Sequence, residues 1–388
     1  MRAMKKIVIL CATGIRNAGD EAILAALLDK FSSERYERTV ISFDPEYTEE
    51  LHGVRAVGFG DSECRPVIAE CDLFIMGGGG LLQDETTVFN VGRWLWKLRL
   101  AIKLKKKTYL YANSIGPLNY RLNKWFVKSM LNQVDLISLR DELSKELLIK
   151  IGVEESRIKV TADPVFGLSE KEQAKFFVPE IEGLQEPYVL FSLRHWYDTH
   201  PLIPVKICTK YNLRSRANKE KYTHLVEELA KFVRYLNDEK NLKVVFLSFC
   251  HKRDSLIAND VLTKVGDERN LVIDDLELIP YGTFGLIEKA EFVVGMRLHA
   301  IIFSILLRKK FISLVYSEKV KGLLELGGLS QLGIHVDTFK SKEAEQLVME
   351  FIYGDRSAEV EKKISAFLKE SRCKEDNNHL LGEKLLEN

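Results

Sequence analysis

Positively charged side chains and a histidine follow several short apolar runs in this sequence. Arg297 and His299 lie directly before the apolar segment 300–307, which predicts that they stand at the N-terminal end of a buried helix. The helix dipole and the free N–H groups there favour an anion, and a histidine exchanges protons near neutral pH. Other cations end similar runs: Arg140, Arg194 and Lys319. We therefore expect a small, multiply charged anion to bind where these side chains meet.

A second set of candidate residues lies on turns that are rich in small residues. Four consecutive glycines, 77–80, follow an apolar run and offer backbone N–H groups with no Cβ in the way. A tight turn between a strand and a helix is the alternative interpretation of the same glycines. The candidate binding residues on these turns are Asn17, Asp20, Gly78, Gly79, Gly80, Asp84 and Ser114.

Several other chemistries lack their sequence signatures. No Asp-x-Asp pair and no histidine pair with zincin spacing occurs, so we expect no metal and no cofactor. No Gly-Lys-Ser/Thr follows the turn at 14–22, and the glycine run does not match Gly-x-Gly-x-x-Gly, which argues against nucleotide-binding loops. A Gly-x-Ser-x-Gly elbow is also absent, which argues against a serine hydrolase.

The elements that must position these residues follow the rhythm of a parallel α/β protein, in which β-branched runs alternate with helical periods. The predicted strands are 5–12, 38–43, 72–76, 108–112, 135–139 and 158–162, followed by 188–193, 243–249, 271–273, 291–294 and 311–316. Ligands of open parallel sheets bind at the carboxyl ends of the strands. The candidate residues all follow predicted strands, so they should gather at such edges.

The segment 169–187 is polar, carries two prolines and a glycine, and separates the two series of strands. We predict two Rossmann-like domains that face each other across a cleft. The N-terminal domain covers 1–178 and the C-terminal domain covers 187–345. The remainder, 346–388, is predicted to be a helix that ends in a polar, fraying tail from residue 371.

Composition limits the partners and the location. The 57 basic and 56 acidic residues give a formal charge of +1, so nucleic acid is not expected as a partner. The six cysteines contain no Cys-x-x-Cys pair, which favours a reduced, cytoplasmic location. No apolar run approaches the roughly 20 residues that a membrane-spanning helix needs.

Two basic segments depart from the α/β rhythm. The long connection 200–222 carries six Lys and Arg residues, and no role can be assigned to it. The segment 92–107 combines Trp94 and Trp96 with a lysine-rich end. Such a helix can lie on the anionic inner face of a cell membrane, but a helix packed on the sheet with solvated lysines is the alternative interpretation.

Six segments appear in an order and spacing that resembles the polysaccharide pyruvyltransferase family, over about residues 5 to 340. The resemblance implies a GT-B-like, two-domain fold. It also implies transfer of pyruvate from phosphoenolpyruvate to two hydroxyls of a sugar, which forms a cyclic ketal. The six segments are 17–22 (Asn-Ala-Gly-Asp-Glu-Ala), 77–81 (Gly-Gly-Gly-Gly-Leu), 114–117 (Ser-Ile-Gly-Pro), 138–141 (Ser-Leu-Arg-Asp), 162–164 (Ala-Asp-Pro) and 296–299 (Met-Arg-Leu-His).

The family's functional residues fall on named positions of this sequence. Its essential arginine falls on Arg140, its Arg-Leu-His element on residues 297–299, and its late lysine on Lys319. The resemblance therefore implies His299, Arg140 and Lys319 as catalytic residues, with Arg297, Leu298 and Arg194 binding the donor. The implied acceptor is a sugar of a cell-wall, capsular or exopolysaccharide, or of its precursor on polyprenyl pyrophosphate.

Two alternatives remain open at this point. A metal-independent GT-B glycosyltransferase would share the fold and need cations for the pyrophosphate of a nucleotide sugar. No acidic residue is clearly placed to hold a nucleotide ribose, which weighs against it. A non-catalytic carbohydrate-binding protein with the same cleft is the second alternative.

Overall fold

The computed structural model of this 388-residue chain describes residues 4–85, 87–184, 187–198, 207–208, 211, 213–275 and 277–387. The first half forms one parallel sheet. Its strands are β1 (Lys5–Leu10), β2 (Tyr36–Ser42), β3 (Arg55–Gly58), β4 (Leu73–Gly79), β5 (Lys107–Asn113), β6 (Leu136–Leu139) and β7 (Ile158–Val160). Their order across the sheet is β3-β2-β1-β4-β5-β6-β7. The central strands are buried on both faces, which explains their nearly continuous apolar sequences.

Helices connect these parallel strands and cover the sheet. Several begin at a side-chain cap, and Asn17, Asp44 and Asp141 each accept hydrogen bonds from the backbone of the first turn. The helices are α1 (Ala18–Lys30), α2 (Pro45–His52), α3 (Asp61–Glu70), α4 (Asn90–Lys103), α5 (Arg121–Leu131), α6 (Glu142–Ile151) and α7 (Glu170–Gln173).

The second half forms a six-stranded parallel sheet. Its strands are β8 (Tyr188–Ser192), β9 (Lys243–Leu247), β10 (Leu271–Ile273), β11 (Val293–Gly295), β12 (Phe311–Val315) and β13 (Gly333–His335), in the order β10-β9-β8-β11-β12-β13. The described helices are α8 (Arg216–Asp238), α9 (Asp254–Val265), α10 (Tyr281–Lys289), α11 (Leu298–Leu306), α12 (Glu318–Leu326), α13 (Ser341–Leu347) and α14 (Ser357–Glu387), with a π-helical turn at Val348–Ile352.

Both sheets are wound in the same way, so each has a crevice where the strand order reverses. In the first sheet this point lies between β1 and β4, and in the second it lies between β8 and β11. The two carboxyl edges face each other and touch. The N–H of Ala18 donates to the carbonyl of Phe249 at 2.9 Å, beside an antiparallel bridge between Asn17 and Cys250.

All eleven predicted strands are present, with ends that differ by at most three residues. Two further strands, β3 and β13, were not predicted; they are four and three residues long. Both lie at sheet edges, where little burial marks the sequence. The segment 169–187 contains α7 and an irregular stretch that packs on the second half, where Phe176 stacks on Phe284 at 4.1 Å. The domain boundaries at 178 and 187 stay predictions.

The predicted fraying tail is wrong, because α14 continues as one 31-residue helix to Glu387. This helix follows the second half in sequence but packs on the first sheet. The hydroxyl of Tyr109 donates to the carbonyl of Asn378 at 2.9 Å, and the Tyr111 hydroxyl donates to Glu375. Two of its polar residues, Glu375 and Asn378, are therefore buried hydrogen-bonding groups rather than part of a solvated surface.

The predicted basic helix 92–107 also differs from the structure. Helix α4 ends at Lys103, and Lys105 has a left-handed backbone with φ of 54°, so the final lysines lie beyond the helix. Trp94 is only 5% exposed, and the buried amine of Lys97 pairs with Asp61. No helix within the described residues is both long enough and apolar enough to cross a membrane.

The basic segment 200–222 is described only in part. Lys206 and Lys210 lie outside the described residues. Its later residues belong to α8, which begins at Arg216 after the capping side chain of Ser215. Arg214 lies over the ring of Tyr222, with its guanidinium carbon 3.8 Å from the ring centroid, and Nη2 lies 2.5 Å from Nε2 of His195.

Candidate active site

The turn between β1 and α1 brings three polar side chains to different places. Asn17 caps the helix by accepting from the N–H groups of Gly19 at 3.0 Å and Asp20 at 3.3 Å. Glu21 points inward and accepts from the N–H of Gly14 at 2.9 Å. Asn17 and Asp20 line the cavity between the sheets. Of the adjacent acids Asp20 and Glu21, only Asp20 therefore faces the cavity.

The glycine run at the end of β4 serves mainly to pack helix α1 against the sheet. A Cβ on Gly78 would lie 2.3 Å from Cγ2 of Ile23, and Gly78 and Gly79 both have positive φ. Only Gly80 lines the cavity, where its Cβ position is 3.3 Å from Nζ of Lys319. Glycine is needed at Gly77 and Gly78 because side chains of α1 approach too closely for any larger residue.

Helices α1 and α11 meet at their N-termini. A Cβ on Gly19 would lie 2.2 Å from Nδ1 of His299. His299 is in the first turn of α11, which follows the carboxyl end of β11, and Arg297 is the N-cap. The helix N-terminus, the imidazole and the first turn of α1 therefore share one wall of the cavity.

Arg140 and His299 are joined by one buried carboxylate. Asp163 pairs with Arg140, and its Oδ2 lies 3.7 Å from Nε2 of His299. Burial alone would raise the pKa of Asp163, but the Arg140 charge and the contact with His299 outweigh it and hold the pKa well below its usual range. Asp163 therefore remains ionised and positions both side chains.

Arg297 is held by a second buried carboxylate. Its Nε donates to Oδ2 of Asp254 at 2.9 Å, and its Nη2 donates to Oδ1, which makes a two-point contact. Oδ2 of Asp254 also accepts from the N–H of Cys250 at 3.0 Å. Burial alone would lower the pKa of Arg297, but Asp254 raises it above its ordinary value. Arg297 is a fixed charge at the cavity wall.

Lys319 and Arg194 have hydrogen-bond donors that remain available to a ligand, whereas Arg140 and Arg297 are paired with carboxylates. Among the described residues, Lys319 has no hydrogen-bond or ion-pair partner, and burial together with the Arg140 charge lowers its pKa to about 8. Arg194 donates from Nη1 to the hydroxyl of Tyr316 at 2.7 Å and lies over the ring of Trp196. Within the described part of the chain, its buried Nε has no acceptor.

Asp20 lines the same cavity as these cations. Burial raises the pKa of Asp20 to about 6, even though the positive charge of His299 and the arginines acts in the opposite direction. A carboxyl group with this pKa can take up and release a proton near neutral pH.

These residues surround a cavity of about 580 Å³. Nine of the thirteen residues singled out from the sequence line it: Asn17, Asp20, Gly80, Arg140, Arg194, Arg297, Leu298, His299 and Lys319. Gly78 and Gly79 lie behind it. No group of three or more potential metal-ligating side chains is found in the described ranges.

Asp84 and Ser114 also lie outside the cavity lining. Asp84 is 2% exposed and accepts from the N–H groups of Asn119 at 2.7 Å and Tyr120 at 3.1 Å, and from the side chain of Asn123. Its carboxylate therefore shapes the loop before α5. Ser114 is fully buried.

The sequence interpretation missed the partners that hold the cations. Asp163 lies in a segment that was recognised, but the contact with Arg140 and His299 depends on how strands β6, β7 and β11 are arranged in space. Arg253 was also not singled out. Burial lowers the pKa of its guanidinium, and the nearby charges of Arg297 and Arg194 lower it further. Its place in the sequence shortly after β9 could have identified it, as it did for the cations that follow other strands.

Comparison with known proteins identifies the family. The sequence matches the family described as Polysaccharide pyruvyl transferase over residues 17–318. It is also 22% identical over 253 residues to the amylovoran biosynthesis protein AmsJ of Erwinia amylovora. That match covers 61% of this chain and 56% of the relative, so the chain spans little more than half the length of this relative.

Solved structures with the same fold have very different sequences. A UDP-N-acetylglucosamine 2-epimerase from Listeria monocytogenes, described as putative, is 13% identical with a TM-score of 0.62, over 96% of this chain and 94% of that one. MnaA of S. aureus with UDP is 14% identical with a TM-score of 0.60 and the same coverage. HepE of Anabaena with UDP is 13% identical with a TM-score of 0.59, over 99% and 100%.

These likenesses confirm the predicted α/β, two-domain, GT-B-like architecture. The family match covers both halves of the fold and most of the cavity lining, from Asn17 to Glu318. This chain belongs to the polysaccharide pyruvyl transferase family.

Proposed function

We propose that this protein transfers the pyruvyl unit of phosphoenolpyruvate onto two hydroxyls of a sugar, forming a cyclic ketal and releasing phosphate. The acceptor is a polysaccharide or its precursor, including one on a polyprenyl-pyrophosphate carrier. The observation that supports the donor most strongly is the composition of one cavity. It brings together Arg140, Arg194, Arg297, Lys319 and His299 with the carboxyl group of Asp20.

Phosphoenolpyruvate carries a carboxylate and a phosphate, and the cavity offers several kinds of anion-binding group. Lys319 and Arg194 have donors that the described residues do not use. The N-terminus of α11 adds backbone N–H groups. Arg140 and Arg297 are already held by carboxylates, so they supply fixed positive charge without moving when the donor binds.

The reaction needs one proton delivered to carbon, one taken up by the departing phosphate, and two removed from sugar hydroxyls. A proton added to the methylene carbon of phosphoenolpyruvate leaves positive charge on the adjacent carbon. One sugar hydroxyl adds there and loses its proton, the carbon–oxygen bond to phosphate breaks, and a second hydroxyl closes the ketal as it loses its proton. His299 is assigned to proton transfer at the donor, because imidazole exchanges protons near neutral pH.

Asp20 is assigned to the acceptor. It lines the cavity at the N-terminus of α1, and its pKa of about 6 leaves most of it ionised at neutral pH. An ionised carboxylate can take the proton of an attacking hydroxyl. The cavity of about 580 Å³ leaves room for a sugar beside the small donor.

Ligand binding by the whole chain tests the donor assignment. Phosphoenolpyruvate should raise the midpoint of thermal unfolding, since a ligand that binds only the folded state stabilises it. Lys319→Gln should weaken this shift, whereas Lys340→Gln, a change outside the cavity lining, should not. A shift with UDP-sugars and none with phosphoenolpyruvate would contradict the proposal.

Thermal titration tests the nucleotide-sugar alternative, and phosphate release tests the carbohydrate-binding alternative. HepE and MnaA were solved with UDP, so a nucleotide sugar is the ligand to set against phosphoenolpyruvate. At 13–14% identity these structures support the fold alone. A non-catalytic carbohydrate-binding protein would bind sugar but release no phosphate from phosphoenolpyruvate.

A further inference from the structure

Helix α5 turns an apolar face toward solvent. Leu122, Trp125 and Phe126 lie at spacings of three and four residues, so they share one side of the helix. They are 62%, 60% and 38% exposed. The rings of Trp125 and Phe126 pack edge to face, with centroids 5.1 Å apart. The helix buries its other side, with Asn123, Val127 and Leu131 packed inward. The exposed aromatic pair is therefore not part of the core of this fold.

Basic residues flank this apolar face and no acidic residue interrupts it. Arg121, Lys124 and Lys128 recur at spacings of three and four residues along one side of α5. The sequence from Asn113 to Val134 contains no aspartate or glutamate. An exposed tryptophan and phenylalanine beside a row of cations have the chemistry of a helix that lies in the interface of an anionic bilayer.

The α5 face adjoins the mouth of the cavity. Pro117 lines the cavity four residues before α5 begins, and Asp84 fixes the connecting backbone at Asn119 and Tyr120. The side chain of Asn123 also donates to the carbonyl of Val88 at 3.1 Å. The next residue, Phe89, is 78% exposed. Val88, three residues after the cavity-lining Glu85, is thus held against α5.

We propose that α5, together with Phe89, docks this protein on the surface of an anionic phospholipid bilayer. Trp125, Phe126 and Leu122 would enter the headgroup region, and the three basic side chains would pair with lipid phosphates. Docking there would bring the cavity mouth to the membrane surface. This placement suits the lipid-linked acceptor of the proposed function, but the docking itself does not depend on that function.

Helix α4 is the competing surface, and its structure fits lipid less well. Trp94 is buried and Lys97 is paired with Asp61. Trp96 is 54% exposed, but its indole N–H donates to Asp61 at 2.9 Å. Among the residues that the structure describes, Trp125 and Phe126 of α5 have no acidic partner, and both are exposed.

Vesicle sedimentation of the full chain tests the docking surface. The protein should sediment with vesicles of phosphatidylglycerol and phosphatidylcholine at low salt, and less so at high salt. Arg121→Gln/Lys124→Gln/Lys128→Gln should lower the partition coefficient by about 100-fold, because each of the three cations contributes about fivefold near an anionic surface. Trp125→Ser/Phe126→Ser should lower it by at least about tenfold.

A matched variant of α4 and of the lysines that follow it serves as the control. Trp96→Ser combined with Lys105→Gln/Lys106→Gln/Lys107→Gln should leave the partition coefficient within a few-fold of the parent. The reverse result, with loss in the α4 variant and none in the α5 variants, would overturn the proposal, as would failure of the parent to sediment at low salt. Each variant's unfolding midpoint should stay close to the parent's, since the altered side chains are largely exposed.

Fluorescence gives a second readout that does not depend on partition coefficients. Lipids brominated on their acyl chains should quench part of the tryptophan emission when the protein binds. This quenching should persist in Trp96→Phe and disappear in Trp125→Phe. Quenching that persists in Trp125→Phe would show that another surface enters the bilayer. None of these measurements uses phosphoenolpyruvate, so their outcome is independent of the proposed reaction.

Discussion

A methyl group on Gly19 would lie 2.2 Å from Nδ1 of His299. The first turn of α1 and the first turn of α11 therefore touch at one wall of the cavity, and the space for the imidazole is set by the absence of a side chain at position 19. The backbone bond from Ala18 to Phe249 fixes the same contact from one side. The position of His299 thus depends on both sheets.

Gly19→Ala should impair catalysis more than stability. The added methyl group must displace the imidazole, and a displacement of about 1 Å at a reacting group can lower the rate about 100-fold. We expect turnover of phosphoenolpyruvate to fall by about that factor. Gly92→Ala, where a Cβ meets nothing within 4 Å, is the matched control and should keep full activity. Activity of Gly19→Ala within a few-fold of the parent would show that His299 tolerates the shift.

The rate should depend on pH through two cavity groups. Asp20 must be ionised to accept a proton, so activity should fall as the pH drops below about 6. Lys319 must be protonated to hold an anion, so activity should fall as the pH rises above about 8. A plot of kcat/KM against pH should therefore be bell-shaped, with its maximum between pH values of about 6 and about 8. Lys319→Arg should move the alkaline limb upward, and an unchanged limb in this variant would remove Lys319 from the assignment.

Asp163→Asn should destabilise the fold and disturb two side chains at once. Removing one partner of a buried ion pair typically costs about 3–5 kcal/mol, and Arg140 would be left without its carboxylate. The folded-state pKa of Asp163 is depressed, so its stabilisation is present at neutral pH and is lost as the pH falls below about 4. Urea unfolding should therefore show a large difference at pH 7 and a smaller one at pH 3. Asp238→Asn, an exposed partner of Arg269, should show little difference at either pH.

Glu375 should make stability fall with rising pH. Burial raises its pKa to about 8, so the folded state holds a proton that the unfolded chain releases near its ordinary value of about 4.3. The stabilisation is present at low pH and is lost as the pH rises toward about 8. In Glu375→Gln the unfolding midpoint should vary less between these pH values than in the parent. An equal slope in both proteins would mean that Glu375 is ionised in the folded state.

Much of the site follows from strand positions alone. Arg140, Arg194 and Lys319 were placed correctly at the cavity because each follows a strand, and parallel strands end at one edge. The buried apolar sequence of α11 likewise placed His299 at a helix N-terminus. These inferences need only local sequence and the geometry of a parallel sheet.

The parts that could not be predicted depend on distant contacts. Asp163 and Asp254 hold Arg140 and Arg297 from 23 and 43 residues away in sequence, and no local pattern identifies such pairs. From sequence alone the polar residues of α14 resembled a solvated tail. In the structure Glu375 and Asn378 are buried against two tyrosines of β5, a contact that the local sequence does not reveal. Asp84 resembled a ligand-binding acid. In the structure its carboxylate oxygens accept hydrogen bonds from backbone N–H groups in the loop before α5.

The most direct measurement is to incubate the protein with phosphoenolpyruvate and a panel of lipid-linked mono- and disaccharides, recording phosphate release and the mass of the sugar product. The proposal predicts phosphate release that requires an acceptor, and a product with a pyruvate ketal on two hydroxyls. His299→Ala should abolish most of this activity. Transfer in His299→Ala within a few-fold of the parent would contradict the role of the histidine. Sugar transfer from a UDP-sugar, with phosphoenolpyruvate left unchanged, would contradict the proposed function.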